Sequence, residues 1–392
     1  MRPAFGLFSL ATLGLLACGG PRSANADPLP ATHGIVAADV PAFWVRSGYK
    51  VELAAEGFGE ARFMEWGPKG DLYVTQPGKG NIATLREKDG RYTKVADFVT
   101  GHKSAHGMHY KDGWLWFTTS GAVYKARDTD GDGKADETVT VLDDLPQGGH
   151  WWRSIFVVDD GFFTSIGDSG NITDLTDTDR EKIWKYSLDG KTRKLWSSGI
   201  RNTEKLRYRP GTTDLFGADH GSDWFGKPLG DKEGNQPITD EMPPCEFNLY
   251  KEGAFYGHPF IVGNRVPRIE FQNRPDIIEL AAKTTVPAWC FGAHWAPNGF
   301  AFIEKGGILP QGDAVVAQHG SWNSSKPVGY RLEHVMFDDA TNMPMGSRMI
   351  LSTISTEGKV LGRPVDVVQA ADGSILWSDD QTSRIYRIRK AR

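Results

Sequence analysis

The stretch GMHYKDGWLWFT at residues 107–118 has the pattern of a β-hairpin. Apolar and aromatic residues alternate on both sides of an Asp-Gly pair, which is a strong short-range signal for a tight reversal between two strands. The stretch RSIFVVDDGFFTS at residues 153–165 repeats the same design around its own Asp-Gly pair. Two copies at this spacing predict a repeated β architecture.

Four further stretches extend the repeat through the chain. They are RFMEWGPKGDLYVT at 62–75, KLRYRPGTTDLFGA at 205–218, GFAFIEKGGILPQGDAVVA at 299–317 and PVDVVQAADGSILWS at 364–378. Most copies are followed by a third strand-like segment, such as KIWKYSLDG at 182–190. We therefore predict an all-β fold, a six-bladed β-propeller over residues 48–392, after an extension at 27–47. A β-sandwich or two small β domains are the alternatives, although sandwiches lack so regular a hairpin period.

The topology of a propeller would gather unusual residues at one mouth of its channel. If every hairpin turns at one end of the ring, the residues that flank the hairpins lie at the other end. Those that enter the first strands are His106, His150, Arg201, Asn202, His294 and Arg363. Those that leave the second strands are Gln76, Asp168, Asp219, His220, Gln318, His319, Asp379 and Asp380. So many ionisable groups at equivalent positions predict a ligand site at this mouth, with the long stretch from Trp224 to Pro287 forming loops over one face.

The first 26 residues have the features of an export signal. Arg2 precedes an apolar run from Phe5 to Ala17, which is too short for a membrane-spanning anchor. Leu15-Leu16-Ala17-Cys18 is typical of a lipoprotein processing box and predicts a lipid anchor at Cys18, while Ala24-Asn25-Ala26 offers an ordinary cleavage site instead. We expect export to the periplasm or the cell envelope.

Composition excludes several classes of function. A net charge of −4 gives no basic face for nucleic acid. The sequence contains no C-x-x-C-H haem motif, no G-x-G-x-x-G dinucleotide fingerprint and no G-x-S-x-G nucleophile elbow. An oxidising compartment would permit a disulfide between Cys245 and Cys290, and two free thiols are the other interpretation.

A short acidic loop predicts a calcium site. Its carboxylates alternate around two glycines, the arrangement that wraps oxygen ligands around calcium, at Asp128, Asp130, Asp132 and Asp136. The loop is no complete EF-hand, because Val139 occupies the twelfth position. We expect a structural calcium ion between blades, with a solvated acidic turn as the alternative.

Four stretches resemble the soluble quinoprotein glucose/sorbosone dehydrogenase family. They are GGHWWRSIFVVDDGFFTSIGDSGN from Gly148, SGIRN from Ser198, HGSWNSSKPVGYRL from His319 and GRPVDVVQAADGSILWSDD from Gly362. The resemblance extends from about Gly48 to the C-terminus. It implies a six-bladed propeller that oxidises a sugar, aldose or sugar-aldehyde with pyrroloquinoline quinone (PQQ) and calcium. The electrons would leave to an external acceptor, either a soluble carrier or a membrane quinone chain.

The resemblance also implies roles for individual residues at the predicted mouth. His150 would be the general base, with Asp168 holding its imidazole. Arg201 would stabilise the charge that the quinone oxygen gains, with Asn202 beside it.

The remaining implied residues bind the cofactor and its metal ion. Lys326 and Arg363 would pair with the quinone carboxylates. The set of cofactor-binding candidates also includes His106, His294 and His319. Gly221 and Ser222, which follow the fourth hairpin, would hold the cofactor calcium. Two other functions stay open: a calcium-dependent lactonase and a non-catalytic propeller that binds glycans or proteins.

Overall fold

All six predicted hairpins are present in the structure, a computed structural model that describes residues 33–226 and 238–391. Each hairpin supplies the first two strands of a blade, which continues with two more antiparallel strands. The reversal within residues 107–118 uses Asp112 and Gly113, whose φ angles are 51° and 83°. Positive φ at both central residues is the geometry for which Asp-Gly pairs are favoured.

The first three blades follow one another along the chain. Blade 1 consists of Met64–Trp66, Leu72–Gln76, Asn81–Lys88 and Arg91–Val99. Blade 2 consists of Met108–Lys111, Trp114–Thr118, Val123–Arg127 and Glu137–Leu142. Blade 3 consists of Phe156–Val158, Gly161–Ile166, Lys182–Tyr186 and Arg193–Ser198, with Ala254–Phe255 added in parallel at its outer edge.

The last three blades use strands that are more distant in sequence. Blade 4 consists of Thr203–Tyr208, Leu215–Asp219, Pro244–Leu249 and Trp289–Ala293. Blade 5 consists of Pro297–Phe302, Ala314–Gln318, Arg331–Asp338 and Met343–Ser352, with Trp44–Val45 at its edge. Blade 6 consists of Pro364–Gln369, Ile375–Asp379, Arg384–Lys390 and the N-terminal strand Tyr49–Ala55, against which Ile35–Val36 pairs in parallel.

The ring closes through this N-terminal strand and through the first strands. Tyr49–Ala55 pairs with the C-terminal strand Arg384–Lys390, so the two ends of the chain share one sheet. The first strand of each blade contacts that of the next, and the first strand of blade 6 contacts that of blade 1. The first strands therefore line the central channel, and the six-bladed all-β prediction is confirmed.

The hydrophobic core lies between the blades rather than at the centre of the ring. Six clusters of buried side chains each join two neighbouring blades. Trp377, for example, is fully buried between blades 5 and 6. Burying one large apolar side chain contributes roughly 1.5–3 kcal/mol.

The boundaries predicted from the sequence need two corrections. Trp44–Val45 and Ile35–Val36 pair with blades 5 and 6, so the folded unit begins before residue 48. The stretch from Trp224 to Pro287 is not loop alone, because Pro244–Leu249 forms the third strand of blade 4. The predicted signal at 1–26, with Cys18, lies outside the described residues.

Short elements follow the second strand of blade 4 in the described part of the chain. They are the α-helices Ile238–Glu241 and Ile277–Lys283, the 3-10 helix Ile269–Phe271 and the strand pair Ile261–Val262 with Val266–Pro267. Another 3-10 helix, Pro68–Gly70, lies in the hairpin turn of blade 1. No helix in residues 33–226 or 238–391 is long and apolar enough to cross a membrane. Cys245 and Cys290 lie on neighbouring strands of blade 4, and Cys245 is buried.

Candidate active site

A polar cavity of about 330 Å³ occupies the mouth that the topology predicts. Most of the predicted residues that enter the first strands line it. Of the predicted residues that leave the second strands, His220 and His319 line it, whereas Gln76, Asp168, Asp219, Gln318, Asp379 and Asp380 do not. The predicted residues that line it are His150, Arg201, Asn202, His220, Gly221, His294, His319 and Arg363. Arg62, Trp152, Glu204, Asn298 and Asn323 also line it.

His150 enters blade 3 and is held at the cavity by the backbone at the exit of the hairpin of that same blade. Its backbone N–H donates to the carbonyl oxygen of Asp168 at 2.8 Å, and its ring Nδ1 lies 3.1 Å from the same oxygen. A carbonyl oxygen can only accept, so Nδ1 carries the proton of the neutral ring. This leaves Nε2, which has no protein partner among the described residues, as the basic nitrogen. Burial, with the nearby charges of Arg201 and His220, lowers the pKa of His150 to about 3, so the ring is neutral at ordinary pH.

The predicted role of the Asp168 carboxylate is wrong. The carboxylate accepts hydrogen bonds from the backbone N–H groups of Gly170 and Thr173, and its Oδ2 lies 2.9 Å from Nε2 of His258. These contacts hold the pKa of Asp168 below its usual range although burial opposes them. Asp168 turns its side chain away from His150 because the backbone reverses directly after the strand, so the carbonyl group orients the imidazole instead.

Arg201 lies at the cavity wall in a fixed orientation. Its Nε and Nη2 donate to the backbone and side-chain oxygens of Asn171 at 3.0 and 2.9 Å, and Nη1 donates to the carbonyl of Gly221 at 3.0 Å. Nη2 also lies 3.3 Å from Asp223. A guanidinium held in this way presents positive charge without having to reorganise when negative charge develops nearby.

The other three histidines of the cavity are anchored through Nε2. Nε2 of His220 donates to the carbonyl oxygen of Pro297 at 3.1 Å, and its Nδ1 accepts from Asn202 Nδ2 at 3.2 Å. Nε2 of His294 contacts the carbonyl of Thr239. Nε2 of His319 lies 3.0 and 3.1 Å from the two carboxylate oxygens of Asp380. His150 thus differs from them in being anchored through Nδ1.

Two residues at the floor of the cavity were missed by the sequence analysis. Glu204 is buried and accepts from Arg62 Nη2 at 3.3 Å and from Asn202 at 3.1 Å. Arg62 also donates to Asp380 at 3.0 Å and lies over the ring of Trp152. The sequence pattern could have predicted Arg62, because Arg62 precedes the first strand of blade 1 just as His106 precedes the first strand of blade 2. Glu204 carried no such signal, because it lies inside a strand.

Two predicted cofactor residues do not line the cavity. His106 is fully buried beneath it, between the rings of Phe63 and Trp152, with Nε2 3.2 Å from Glu204. Lys326 is exposed and lies outside the lining of the cavity. Lys326 lies several residues after the strand Ala314–Gln318, so its position relative to the strand end did not predict that it reaches the mouth.

The residues predicted to hold the cofactor calcium already have arginine partners. The carbonyl of Gly221 accepts from Arg201, and the hydroxyl of Ser222 accepts from Arg268 at 2.6 Å. A cation bound to the Gly221 oxygen would lie beside a fixed guanidinium, which disfavours it. The arrangement in the structure therefore does not fit a calcium ion there.

The acidic loop at 128–136 joins the last two strands of blade 2 and packs on blade 1. Thr84 of blade 1 donates to the carbonyl of Gly133 at 2.6 Å. Ligand oxygens of Asp128, Asp130 and Asp136 lie within 4.8 Å of one another, whereas that of Asp132 is not part of this group. The position between blades is as expected, and calcium binding stays a prediction.

A larger cavity of about 1020 Å³ lies at the opposite mouth, where the hairpins turn. Several of the charges that line it are already paired within the protein. Lys205 Nζ lies 2.6 Å from Asp366, and Arg207 lies 2.6 Å from Glu65. We therefore place the functional site in the smaller cavity, where Arg363 has one described side-chain hydrogen bond, from Nε to His319 O at 3.4 Å.

Comparisons with known proteins agree with this fold. The chain is 30% identical over 216 residues to an uncharacterized protein of Borreliella burgdorferi, which is 53% of this chain and 51% of that protein. The chain thus spans about half the length of the curated relative it matches.

Two solved structures are similar over almost their whole length. The calcium structure of the carbohydrate-active enzyme family AA12 from Trichoderma reesei has a TM-score of 0.78 and 18% identity, covering 90% of this chain and 98% of that one. The holo form of the pyranose dehydrogenase PQQ domain from Coprinopsis cinerea has a TM-score of 0.76 and 17% identity. The match covers 91% of this chain and 100% of that one. The TM-scores establish a shared fold, and at such low identities they establish the fold alone. The sequence also matches the TrAA12-like family over residues 43–391, nearly the full length of the blades, and the chain therefore belongs to that family.

Proposed function

We propose that the protein oxidises a sugar, an aldose or a sugar-aldehyde, by hydride transfer to PQQ, with His150 as the general base. One observation carries the proposal: the hydrogen bond between Nδ1 and the Asp168 carbonyl fixes the tautomer of His150 and leaves Nε2 basic at the cavity. The PQQ domain of the Coprinopsis cinerea pyranose dehydrogenase supports the choice of cofactor and substrate class.

The donor set of the cavity fits PQQ, a planar aromatic compound that carries three carboxylates. Arg62, Arg201 and Arg363 all line the cavity. The Nε atom of Arg62 is buried without a hydrogen-bond partner in the described part of the chain. Arg363 would bind a carboxylate through its terminal nitrogens, and Asn323 would add amide hydrogen bonds. When bound, PQQ supplies the two-electron acceptor for the hydride that leaves the sugar carbon.

The residues of the chain would then handle the proton and the charge. His150 would take the hydroxyl proton of the substrate at Nε2 while the C–H bond breaks. Arg201, already held by Asn171 and Gly221, would stabilise the negative charge that develops beside it. Glu204 would keep Arg62 and Asn202 in place. No step is assigned to calcium at Gly221 and Ser222, because the structure does not fit it there.

One tryptophan favours a sugar as the substrate. Trp322 at the rim of the cavity is 68% exposed, with its ring centre 5.3 Å from that of Trp224. Trp152 also lines the cavity, but its ring already contacts Arg62 and His106. Exposed indole faces stack on the C–H faces of sugar rings, while the amides of Asn298 and Asn323 can bond hydroxyl groups. Which sugar is oxidised would follow from these few contacts.

We also propose that the protein works outside the cytoplasm and passes electrons to an external acceptor. The apolar run from Phe5 to Ala17 supports export, and Leu15–Cys18 supports a lipid anchor. The sequence has no haem attachment motif, so electrons would leave to a soluble carrier or a membrane quinone chain.

Reconstitution tests the function. The mature protein is incubated with PQQ, with and without calcium, and the reduction of an artificial electron acceptor is followed across aldoses, sugar-aldehydes and polyols. We expect one bound PQQ per chain and turnover with at least one sugar. Sugar binding without PQQ binding or turnover would instead support the non-catalytic propeller, and hydrolysis of a lactone without PQQ would support the lactonase.

A further inference from the structure

Three buried metal-ligand side chains meet at the end of blade 3, behind the proposed base. They are Asp168 after the strand Gly161–Ile166, Glu181 before the strand Lys182–Tyr186, and His258 beyond Ala254–Phe255. Nε2 of His258 lies 2.9 Å from Asp168 Oδ2 and 3.7 Å from Glu181 Oε1, and all three atoms lie within 4.8 Å of one another. The site is thus assembled from three separate segments of the chain.

Glu181 provides an independent indication that this cluster has a ligand. The residue is 1% exposed, yet neither carboxylate oxygen has a partner at hydrogen-bonding geometry in the described residues. A buried carboxylate without partners is costly, and such groups are usually paired or coordinate a metal ion. Burial and the neighbouring Asp168 raise the pKa of Glu181 to about 8, although Leu175 and Lys182 oppose the shift.

The nearby arginines do not fill this role. Arg180 donates to the backbone carbonyls of Gly148 and Gly167, at 3.2 and 3.1 Å. Arg268 pairs with Glu270 at 2.9 Å, and Arg201 is held by Asn171 and Asp223. Each arginine has its own acceptors, so none supplies a hydrogen bond to Glu181.

The geometry and the donor types select the class of ion. Ligands 2.0–2.2 Å from a zinc ion at tetrahedral angles lie about 3.3–3.6 Å apart, and those in octahedral sites lie slightly closer. The observed distances of 2.9 and 3.7 Å bracket these values. One imidazole with two carboxylates suits zinc or manganese, whereas calcium prefers oxygen ligands alone.

We propose that Asp168, Glu181 and His258 bind one divalent transition-metal ion, of the zinc or manganese class, as a structural site. The ion would tie the end of blade 3 to the segment that carries His258. It would also fix Asp168, whose backbone carbonyl orients His150. The metal site is independent of the sugar and the quinone, so it can fail or succeed apart from the proposed function.

Metal content tests the site. The full mature chain is expressed in medium that contains zinc and manganese, dialysed against metal-free buffer and analysed by elemental mass spectrometry. Glu181→Gln and His258→Gln are compared with wild type and with His334→Gln. His334 is a matched control, because it forms another buried His–Asp pair, 2.7 Å from Asp313, without a second carboxylate. We expect about one metal ion per chain in wild type and His334→Gln and a loss of at least tenfold in the other two.

Two further measurements do not depend on the variants folding. Metal-free wild type, prepared with a strong chelator, should melt at a higher temperature when zinc or manganese is added. Cobalt should give the visible absorption bands of a protein-bound ion. The proposal is overturned if wild type holds no transition metal and shows neither response, if Glu181→Gln retains the metal, or if His334→Gln also loses it.

Discussion

Replacing His150 with alanine should remove most turnover while leaving the fold and the bound cofactor in place. The side chain makes one described hydrogen bond, from Nδ1 to a backbone carbonyl, so its loss should cost about 1 kcal/mol of stability. A positioned general base contributes about 10²–10⁴ to the rate. At about 1.36 kcal/mol per tenfold change, this equals about 3–5 kcal/mol of transition-state stabilisation.

The assay measures kcat with a saturating sugar and an artificial electron acceptor, together with PQQ absorbance and thermal unfolding. We expect wild-type cofactor content, a melting temperature within a few degrees of wild type, and kcat reduced by about 10²–10⁴. Added imidazole should restore part of the rate, because the truncation leaves room at the cavity wall. His109→Gln is the control, since His109 lies at the opposite mouth of the channel.

The pH profile provides a second readout of the same variant. The base acts when Nε2 is unprotonated, so turnover should rise as pH increases through the pKa of His150 and stay flat above it. Burial and Arg201 lower this pKa to about 3 without ligand, and the carboxylates of bound PQQ should raise it again. The turnover of wild type should therefore decrease below pH ~6.5, and His150→Ala should not show this decrease. Unchanged kcat in that variant, or a larger loss in His319→Ala with PQQ still bound, would refute the assignment.

Three other changes test separate parts of the molecule. Arg363→Gln should weaken PQQ binding about 10–100-fold, with less effect on kcat at saturating cofactor, because it removes a charge-assisted hydrogen bond; equilibrium titration of apoprotein measures it. Asp366→Asn should destabilise the fold by about 3–5 kcal/mol in denaturant unfolding, since it leaves the buried Lys205 ammonium without its partner at 2.6 Å, and Lys205→Met in the same chain should recover part of the loss. Calcium at 100 times Kd should stabilise the fold by about 2.7 kcal/mol, which is measured as a rise in melting temperature. Asp128→Asn should abolish most of this stabilisation and leave sugar oxidation unchanged.

The fold was predictable because its units are local. Each hairpin is specified by alternation and a turn within about 20 residues, so strand identity could be assigned without long-range information. The closing strand Tyr49–Ala55 pairs with residues more than 300 positions away, and its sequence resembles any other strand. The edge strand Trp44–Val45 is too short to give a pattern. The ring was therefore predicted more accurately than its boundaries.

The site was predicted as far as backbone position decides it. Residues that enter first strands or leave second strands do reach the mouth, which holds for His150, Arg201 and Arg363. Backbone position could not predict how deeply a side chain is buried. His106 occupies an equivalent position, yet Trp152 packs over it. Backbone position also could not predict the direction of a side chain, as Asp168 shows. Its partner His258 comes from a loop 90 residues later, which no repeat pattern could place.

The carbonyl that replaces the predicted carboxylate partner changes the chemistry of His150. A carboxylate at Nδ1 would stabilise the imidazolium permanently and raise the pKa of the ring. The carbonyl of Asp168 fixes the same tautomer without that charge, and burial together with Arg201 opposes protonation, so the base is weak while the cavity is empty. An anionic cofactor would neutralise the surrounding arginines and raise the proton affinity of Nε2. The base would thus become effective when the electron acceptor is in place, which couples proton removal to cofactor binding.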